Sequence, residues 1–421
     1  MSPCASLTRC RPAAFNRIRS GSLPAQRRER EYLVAPLGAA TLMSLQHSAI
    51  GLDRHLTNGS CAADKQAAIK QPATAQGACM TRLTYSKAEL ETEHDYAMSH
   101  VECGLRLHGG FSEDGLYLSP RTRFRWPAIN AWLASLQDRN IAIVEATTAL
   151  LVEPHYPSID QQVWLLQQGV EQPLWDSLTI TGLIEGRGRA LADLSPPDFA
   201  LIIKEDISET ALGHLGKGLL TTHGWDEGGN PQSEAGGHDV MWYATRDLIF
   251  GKNKFPLPVA PISIGREKAS REMPQIGAEY EGVMAFLMNL LMIEVRAERA
   301  FDFYERVIDH PDVFPDKRQE AQHAVALINR IRQDEAVHVA WLKVAISEFR
   351  HSTIKGLDGA EISGAEILDP VWEKMVHWHA VEMHQANRQN NRAELKAKIL
   401  AAANGASILA AFEELEDNLD P

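Results

Sequence analysis

The chain has 421 residues, of which 44% are hydrophobic, and this is enough apolar material for one large domain or two ordinary ones. Its formal net charge of -13 and the lack of clustered Lys and Arg after residue 80 exclude nucleic acid as the main partner. The longest apolar run, residues 283–295, is too short to cross a bilayer. We therefore expect a globular protein that neither binds nucleic acid nor spans a membrane.

The first 79 residues differ in composition from the rest of the chain. They begin with an arginine-rich, acid-free stretch, contain much Ser, Ala and Pro, and show no helical or strand periodicity. This composition is typical of a disordered arm or a targeting segment, so residues 1–30 could direct an otherwise cytoplasmic protein to an organelle. An over-long gene model, with Met43 or Met80 as the true start, is an equal alternative. Residues 80–421 are predicted to form a single helical domain.

From about Trp126 onward, helical periodicity predominates, and the breaks in it are Pro and Gly clusters rather than alternating β-branched runs. We therefore predict an all-α fold. The predicted helices span residues 127–152, 159–170, 173–193, 198–221, 238–250, 272–309, 316–350, 371–390 and 392–416.

An internal repeat indicates how the middle of the chain is organised. The sequence LIEGRGRA at 183–190 resembles MIEVRAERA at 292–300. Each copy precedes a Pro-bearing connection and then a helix with paired acids, KEDISE at 204–209 and QDEAVH at 333–338. The repeat predicts two similar helix hairpins, with a structural core at about 173–350.

One helix of the second hairpin places polar side chains on its apolar stripe. Leu327, Ile331, Glu335, His338 and Leu342 share one face, because residues three and four apart on a helix are neighbours. A buried carboxylate or imidazole is costly unless it is paired, and a metal ion is one such partner.

The rise of 1.5 Å per residue indicates which acids lie level across each antiparallel hairpin. Glu185 is level with the region of Asp206, and Glu294 is level with the region 331–335, each to within about one turn. The paired acids of each hairpin are therefore expected to face one another.

This arrangement resembles the ferritin-like di-iron carboxylate proteins, in which two helices each carry a lone Glu and two others each carry Glu-x-x-His. The resemblance makes Glu185 and Glu294 the lone acids, and Glu335 with His338 one Glu-x-x-His pair. It implies a ferritin-like four-helix bundle built from the two hairpins, with additional N- and C-terminal helices.

The other Glu-x-x-His pair is absent from the first hairpin, and two replacements are open. Asp206 and Glu209 could take its place, or Glu209 and His214 could converge through a π-bulge. Asp334 resembles the acid that orients a metal-bound His in many relatives, and Glu205 would be its mirror.

The resemblance implies two iron ions, or manganese and iron, that activate dioxygen to oxidise an organic small molecule. An electron-donor protein and a homodimer are compatible with this class. The alternatives are a ferritin-type metal-handling or peroxide-scavenging protein, and a metal-free helical scaffold with salt bridges through Arg187, Arg296 and Arg332. The polar, Gly-rich segment 221–239 is taken as an ordinary connection, although its His and Asp residues could line an entrance.

Overall fold

The described residues of the chain are mostly helical, which confirms the prediction in its coarse form. A computed structural model describes residues 82–259, 266 and 270–417, and the predictions for residues 1–79 fall outside this part of the chain. The helices are α1 (Lys87–Leu90), α2 (Thr122–Asp138), α3 (Ile159–Gln167), α4 (Gln172–Gly188), α5 (Leu220–Gly228), α6 (His238–Phe250), α7 (Ala278–Ile308), α8 (Arg318–Arg350), α9 (Gly364–His377), α10 (Met383–Leu400) and α11 (Gly405–Asp417). The strands are β1 (Met98–Glu102), β2 (Leu105–Phe111), β3 (Tyr117–Leu118), β4 (Thr353–Lys355) and β5 (Glu361–Ser363).

A small antiparallel sheet, β1-β2-β3, precedes the long helices and is missing from the sequence prediction. Cys103 and Gly104 form the β1–β2 turn with φ values of 51° and 77°, the left-handed pair that a two-residue hairpin requires. The other edge of β2 is tied to the segment before α6, because His108 N donates to Gly236 O (2.8 Å) and Gly236 N donates to Arg106 O (2.9 Å). The sheet therefore holds β2 beside the start of α6.

Four helices surround a common interior. Helix α4 packs on α6, α6 packs on α8, and α8 packs on α7. The hydroxyl groups of Ser177 on α4 and Tyr304 on α7 are 2.7 Å apart, so the first and last of these helices also touch. The short helix α5 contacts both α4 and α6. Side chains from all five helices can therefore meet in one place.

The interior contains two apolar clusters with a polar layer between them. One cluster contains residues from the N-terminal half of α7 and the C-terminal half of α8. The other cluster contains residues from the C-terminal half of α7 and the N-terminal half of α8, as expected of an antiparallel pair. Glu294 and Glu335 lie where the two clusters meet. The α7–α8 hairpin agrees to within a few residues, except at the start of α7, with the helices predicted at 272–309 and 316–350.

The helix predicted at 198–221 is absent. The structure has short 3₁₀ turns at Phe199–Leu201 and Leu212–His214, followed by a kinked segment, Leu215–Leu219, that leads into α5. Gly218 has a φ of 114°, which non-glycine residues rarely adopt, and a Cβ there would lie only 3.0 Å from the Leu90 Cβ. The chain therefore turns sharply where the periodicity predicted a continuous helix.

Other predicted helix limits also differ from the structure. The prediction 127–152 corresponds to the shorter α2, and Asn140, with a φ of 55°, lies in the turn that follows it. The predictions 371–390 and 392–416 correspond to α9, α10 and α11, with breaks at different positions. Within the described residues, no helix is both long and apolar enough to cross a membrane.

Candidate metal centre

Seven buried side chains, four Glu and three His, converge from five helices. They are Glu185 on α4, His223 and Glu227 on α5, His238 on α6, Glu294 on α7, and Glu335 and His338 on α8. They form two groups that share Glu227, and within each group one N or O atom from every residue lies within 4.8 Å of the others. The imidazole-rich group consists of His223, Glu227, Glu294 and His338, and the carboxylate-rich group consists of Glu185, Glu227, His238 and Glu335.

The donor atoms of the imidazole-rich group are spaced as ligands of one ion would be. His223 Nε2 lies 3.1 Å from Glu294 Oε1 and 3.4 Å from Glu227 Oε1, and His338 Nδ1 lies 3.3 Å from the same Glu227 oxygen. Ligands bound at about 2.1 Å and at right angles lie roughly 3 Å apart. The observed separations fit this geometry.

The carboxylate-rich group has a similar spacing around one imidazole. His238 Nδ1 lies 3.0 Å from Glu335 Oε1, 3.7 Å from Glu227 Oε1 and 3.9 Å from Glu185 Oε2. The second oxygen of Glu335, Oε2, lies 2.6 Å from His338 Nδ1 in the other group. Glu335 therefore reaches both groups, as Glu227 does, and two carboxylates lie between the two positions.

Several of these atoms are buried and close together but form no hydrogen bond. They include His223 Nε2, His238 Nδ1, Glu227 Oε1 and Glu335 Oε1. The distances between these atoms are short, but the angles at which they approach one another are not those of hydrogen bonds. A buried polar atom without a partner is costly, and a cation shared by these donors would satisfy all of them. The donor set therefore fits a pair of metal ions.

The electrostatics of the cluster favour bound cations. Burial raises the pKa of Glu185 well above its usual value, and the charge of Glu227 adds to this rise. Burial likewise raises the pKa of Glu294, with a further contribution from Glu335. Metal ions would supply the positive charge that stabilises these carboxylates in their ionised form.

Two aspartates orient two of the imidazoles from outside the cluster. His338 Nε2 donates to Asp226 Oδ2 (3.1 Å), and His238 Nε2 donates to Asp334 Oδ2 (3.4 Å). In both histidines the other nitrogen, Nδ1, faces the cluster. A hydrogen bond of this kind places a proton on the outer nitrogen and directs the inner nitrogen toward a metal position. In His338 the inner nitrogen forms a hydrogen bond with Glu335 Oε2 (2.6 Å), which a bound ion would replace.

Asp226 is held by two guanidinium groups. Arg125 Nη2 lies 2.7 Å from its Oδ2, and Arg121 forms a second ion pair. Burial acts to raise the pKa of Asp226, but Arg125 and Arg121 outweigh burial and hold it well below its usual value. Glu205, which the sequence predicts for such a role, is exposed and instead accepts from Thr353 N (2.9 Å).

Asp334 is held by residues of the small sheet. Tyr117 OH donates to its Oδ2 (3.0 Å), and His108 Nε2 lies 3.0 Å from the same atom. Burial acts to raise the pKa of Asp334, but its contacts with His108 and His238 outweigh burial and keep the carboxyl ionised. The predicted position of Asp334 beside a cluster imidazole agrees with the structure, and that imidazole belongs to His238.

Four of the seven sequence-predicted ligands lie in the cluster. Glu185, Glu294, Glu335 and His338 are all buried there. The lone acids lie on α4 and α7, and the Glu-x-x-His pair lies on α8.

The other three predicted ligands lie elsewhere. Asp206 and Glu209 are exposed, and Asp206 caps a local backbone turn. His214 is buried, but its Nδ1 donates to Thr210 O (2.7 Å) and its Nε2 accepts from Tyr85 N (3.0 Å). Neither alternative for the first hairpin places its residues among the donors, because the segment returning from α4 is kinked rather than helical.

The sequence interpretation missed His223, Glu227 and His238 as cluster residues because it treated 221–239 as an ordinary connection. In the structure α5 occupies Leu220–Gly228, and α6 begins at His238. The spacing of His223 and Glu227, four residues apart, places both on one helix face and was the available indication. The repeated glycines around them concealed the helix.

Two arginines of the predicted metal-free alternative also lie outside the cluster. Arg332 pairs with Glu298 (3.0 Å) and Glu305 (2.7 Å). Arg296 Nη1 donates to Met383 Sδ (3.1 Å). Neither guanidinium forms an ion pair with the four cluster glutamates.

A cavity of about 270 Å³ adjoins the centre. Two of its lining residues reach the supporting aspartates, since His108 contacts Asp334 and Arg121 contacts Asp226. Tyr96, His100 and Arg106 also line it. A molecule in this cavity would be separated from the cluster by about one layer of side chains.

Comparisons of the chain with models of known protein families, with curated proteins and with solved structures find no match. The functional interpretation therefore depends on the residues of the centre.

Proposed function

We propose that the protein is a non-haem di-iron, or manganese–iron, oxidoreductase that activates dioxygen to oxidise an organic small molecule. The observation that carries this proposal is the pair of buried donor groups that share Glu227. A set of four carboxylates and three imidazoles, without thiolates, suits iron or manganese.

The proposal includes a ferritin-like arrangement of the helices. Lone glutamates on α4 and α7 and the Glu-x-x-His pair on α8 match the family pattern of ligands. The remaining Glu and two His come from α5 and α6 rather than from one continuous helix. This departure adds an imidazole, His223, to the family pattern of four Glu and two His.

When bound, the two ions supply electrons and open coordination positions for dioxygen. The protein holds the ligands in position. Glu227 and Glu335 set the separation of the two positions, and Asp226 and Asp334 hold the imidazoles of His338 and His238 in one orientation. The apolar clusters above and below the polar layer exclude water, which protects reactive species from side reactions.

The cavity beside the centre favours a small, polar substrate. Its volume is about 270 Å³, and its imidazole and guanidinium groups can form hydrogen bonds with a compact organic molecule. Oxidation with dioxygen also consumes external electrons in most such reactions, so an electron-donor protein is part of the proposal.

Metal analysis and a spectrum test this function. Protein purified from iron-supplemented cells should contain about two metal ions per chain. Exposure of the reduced protein to oxygen should produce an optical band that decays faster in the presence of a substrate. Glu227→Gln should abolish both properties, whereas Glu209→Gln, an exposed matched control, should retain them. A wild-type protein without bound metal after reconstitution would refute the proposal.

Oxygen uptake separates this function from a ferritin-type role. Uptake that depends on a small organic substrate and turns over repeatedly supports an oxygenase or oxidase. Uptake that matches only the iron(II) added, with iron(III) accumulating far beyond two ions per chain, would support metal storage instead.

A further inference from the structure

A second cavity lies against α7, on a face different from the one that carries Glu294. Its volume is about 150 Å³. Arg296 lines it and follows Glu294 by two residues, which corresponds to about 200° around the helix axis. The cavity, termed here the arginine pocket, is lined by side chains that include Arg296, Arg299, His384 and Arg388.

Arg296 is an uncompensated cation in this pocket. Among the described residues, no carboxylate forms an ion pair with it, and its guanidinium donates to the thioether of Met383 (3.1 Å). A thioether is a weak acceptor and carries no charge. A partly buried guanidinium in such surroundings destabilises the fold unless an anion joins it.

Arg299 contributes a second, incompletely balanced charge. Its guanidinium donates to the backbone oxygens of Leu151 and Glu153 rather than to a carboxylate. Burial lowers the pKa of Arg299, and the nearby charges of Glu153 and Asp302 only partly offset this effect. Backbone oxygens fix the position of the group and leave its positive charge largely unneutralised.

The opposite wall adds a third guanidinium and an imidazole. Arg388 on α10 forms an ion pair with Glu416. His384 Nε2 is buried and forms no hydrogen bond with the part of the chain that the structure describes. Burial lowers the pKa of His384 to about 4, and the charges of Arg296 and Arg299 contribute to this. The pocket therefore holds an excess of positive charge and an unsatisfied polar atom.

We propose that the arginine pocket binds a phosphate group, either as inorganic phosphate or as part of a small phosphate monoester. Guanidinium groups pair with phosphate through two parallel hydrogen bonds and remain charged under all physiological conditions. Arginines from two helices approach from more than one direction, which suits a tetrahedral dianion better than a planar carboxylate. The volume equals roughly five waters at about 30 Å³ each, enough for a phosphate and a few attached atoms.

Calorimetric titration of the full chain at neutral pH tests this proposal. We expect inorganic phosphate or glycerol 3-phosphate to bind, and succinate to bind at least tenfold more weakly. Arg296→Met should weaken phosphate binding by about tenfold or more. Arg332→Gln is the matched control, because it removes one arginine from the neighbouring helix outside the pocket and should leave phosphate affinity unchanged.

Thermal unfolding provides a second readout. Without phosphate, Arg296→Met should melt at a higher temperature than the wild type, because the substitution removes a partly buried charge that no carboxylate among the described residues balances. With phosphate, the wild type should gain stability and this variant should gain little. If Arg296→Met does not fold, Arg299→Gln takes its place in the titration.

Three results would overturn the proposal. They are the absence of phosphate binding by the wild type at millimolar concentration, equal phosphate affinity of the wild type and both pocket variants, and tighter binding of succinate than of either phosphate ligand. A stronger response to glycerol 3-phosphate than to inorganic phosphate would support the proposal and identify a monoester as the ligand.

Discussion

The two donor groups of the centre differ in their share of imidazole. The group around His223 and His338 has two imidazoles, and the group around His238 has one. Nitrogen donors increase affinity along the first-row metals more steeply than carboxylates do, so we expect the two positions to bind metal with unequal affinity. Neighbouring positions that share a carboxylate can therefore present different ligand fields to their ions.

The supporting aspartates of the two groups differ as well. Asp226, behind His338, is locked between Arg121 and Arg125. Asp334, behind His238, contacts the side chains of the small sheet instead of a guanidinium. A more strongly neutralised aspartate is a poorer hydrogen-bond acceptor, so the His338 imidazole should be the less electron-rich ligand of the two.

The largest effect is expected from replacing Glu227, the residue that both donor groups share. Glu227→Gln should lower metal content from about two ions per chain to less than one, because both positions lose a charged ligand. Elemental analysis measures this directly. Glu209→Gln should keep the wild-type content. Retention of two ions by the Glu227 variant would show that the groups do not depend on a common ligand.

Removing one imidazole should separate the two positions. His223→Ala should empty the imidazole-rich position, and His238→Ala should empty the other, so each variant keeps about one ion. Stepwise titration of the metal-free variants, followed by calorimetry, measures which step disappears. If the same step is lost in both variants, the assignment of the two groups is wrong.

A smaller effect on metal binding is expected from replacing Asp334, one of the two aspartates that orient the imidazoles. Asp334→Asn should weaken binding at the carboxylate-rich position by about 10–100-fold, because the His238 tautomer is no longer fixed. The tighter step of the titration should stay unchanged. An equal loss in both steps would indicate that Asp334 acts on the fold rather than on one imidazole.

His214 provides a test outside the centre. His214→Ala should leave both metal ions bound but lower the free energy of unfolding by about 1–3 kcal/mol, because the amide of Tyr85 loses its acceptor in the interior. Denaturant unfolding and metal analysis of the same sample measure both properties. Loss of one ion without any loss of stability would indicate that His214 is a metal ligand.

Replacing Glu348 tests the effect of a buried acid on α8 whose oxygens accept hydrogen bonds from backbone amides. Burial raises its pKa from 4.5 to about 8, although Leu212 N and Ala211 N donate to its oxygens. The raised pKa contributes stability that is full below pH 4.5 and is lost as the pH rises to about 8. Relative to Glu348→Gln, the wild type should therefore lose stability at about 1.4 kcal/mol per pH unit in this window. A pH-independent difference between the two proteins would contradict the raised pKa.

The sequence alone determined the long α7–α8 hairpin and the polar residues Glu294, Glu335 and His338 on it. Both helices are long, and their apolar residues recur with a helical period, so the faces of the polar side chains followed from spacing alone. Glu185 was also found, because it lies within the periodic helix α4. These features depend on interactions between residues three or four apart.

The rest of the centre depends on contacts between residues far apart in the sequence. His223 and Glu227 lie on a nine-residue helix that follows a glycine kink, and His238 begins another helix. Local periodicity is weak over the nine residues of α5. The helix predicted at 238–250 matches α6, but spacing along that helix does not show that His238 faces the cluster. The positions of both helices are set by distant contacts. Glu348 caps the backbone of Ala211 and Leu212, and β2 pairs with Gly236 just before His238. Those contacts join residues more than 100 positions apart, so no sequence window contains both partners.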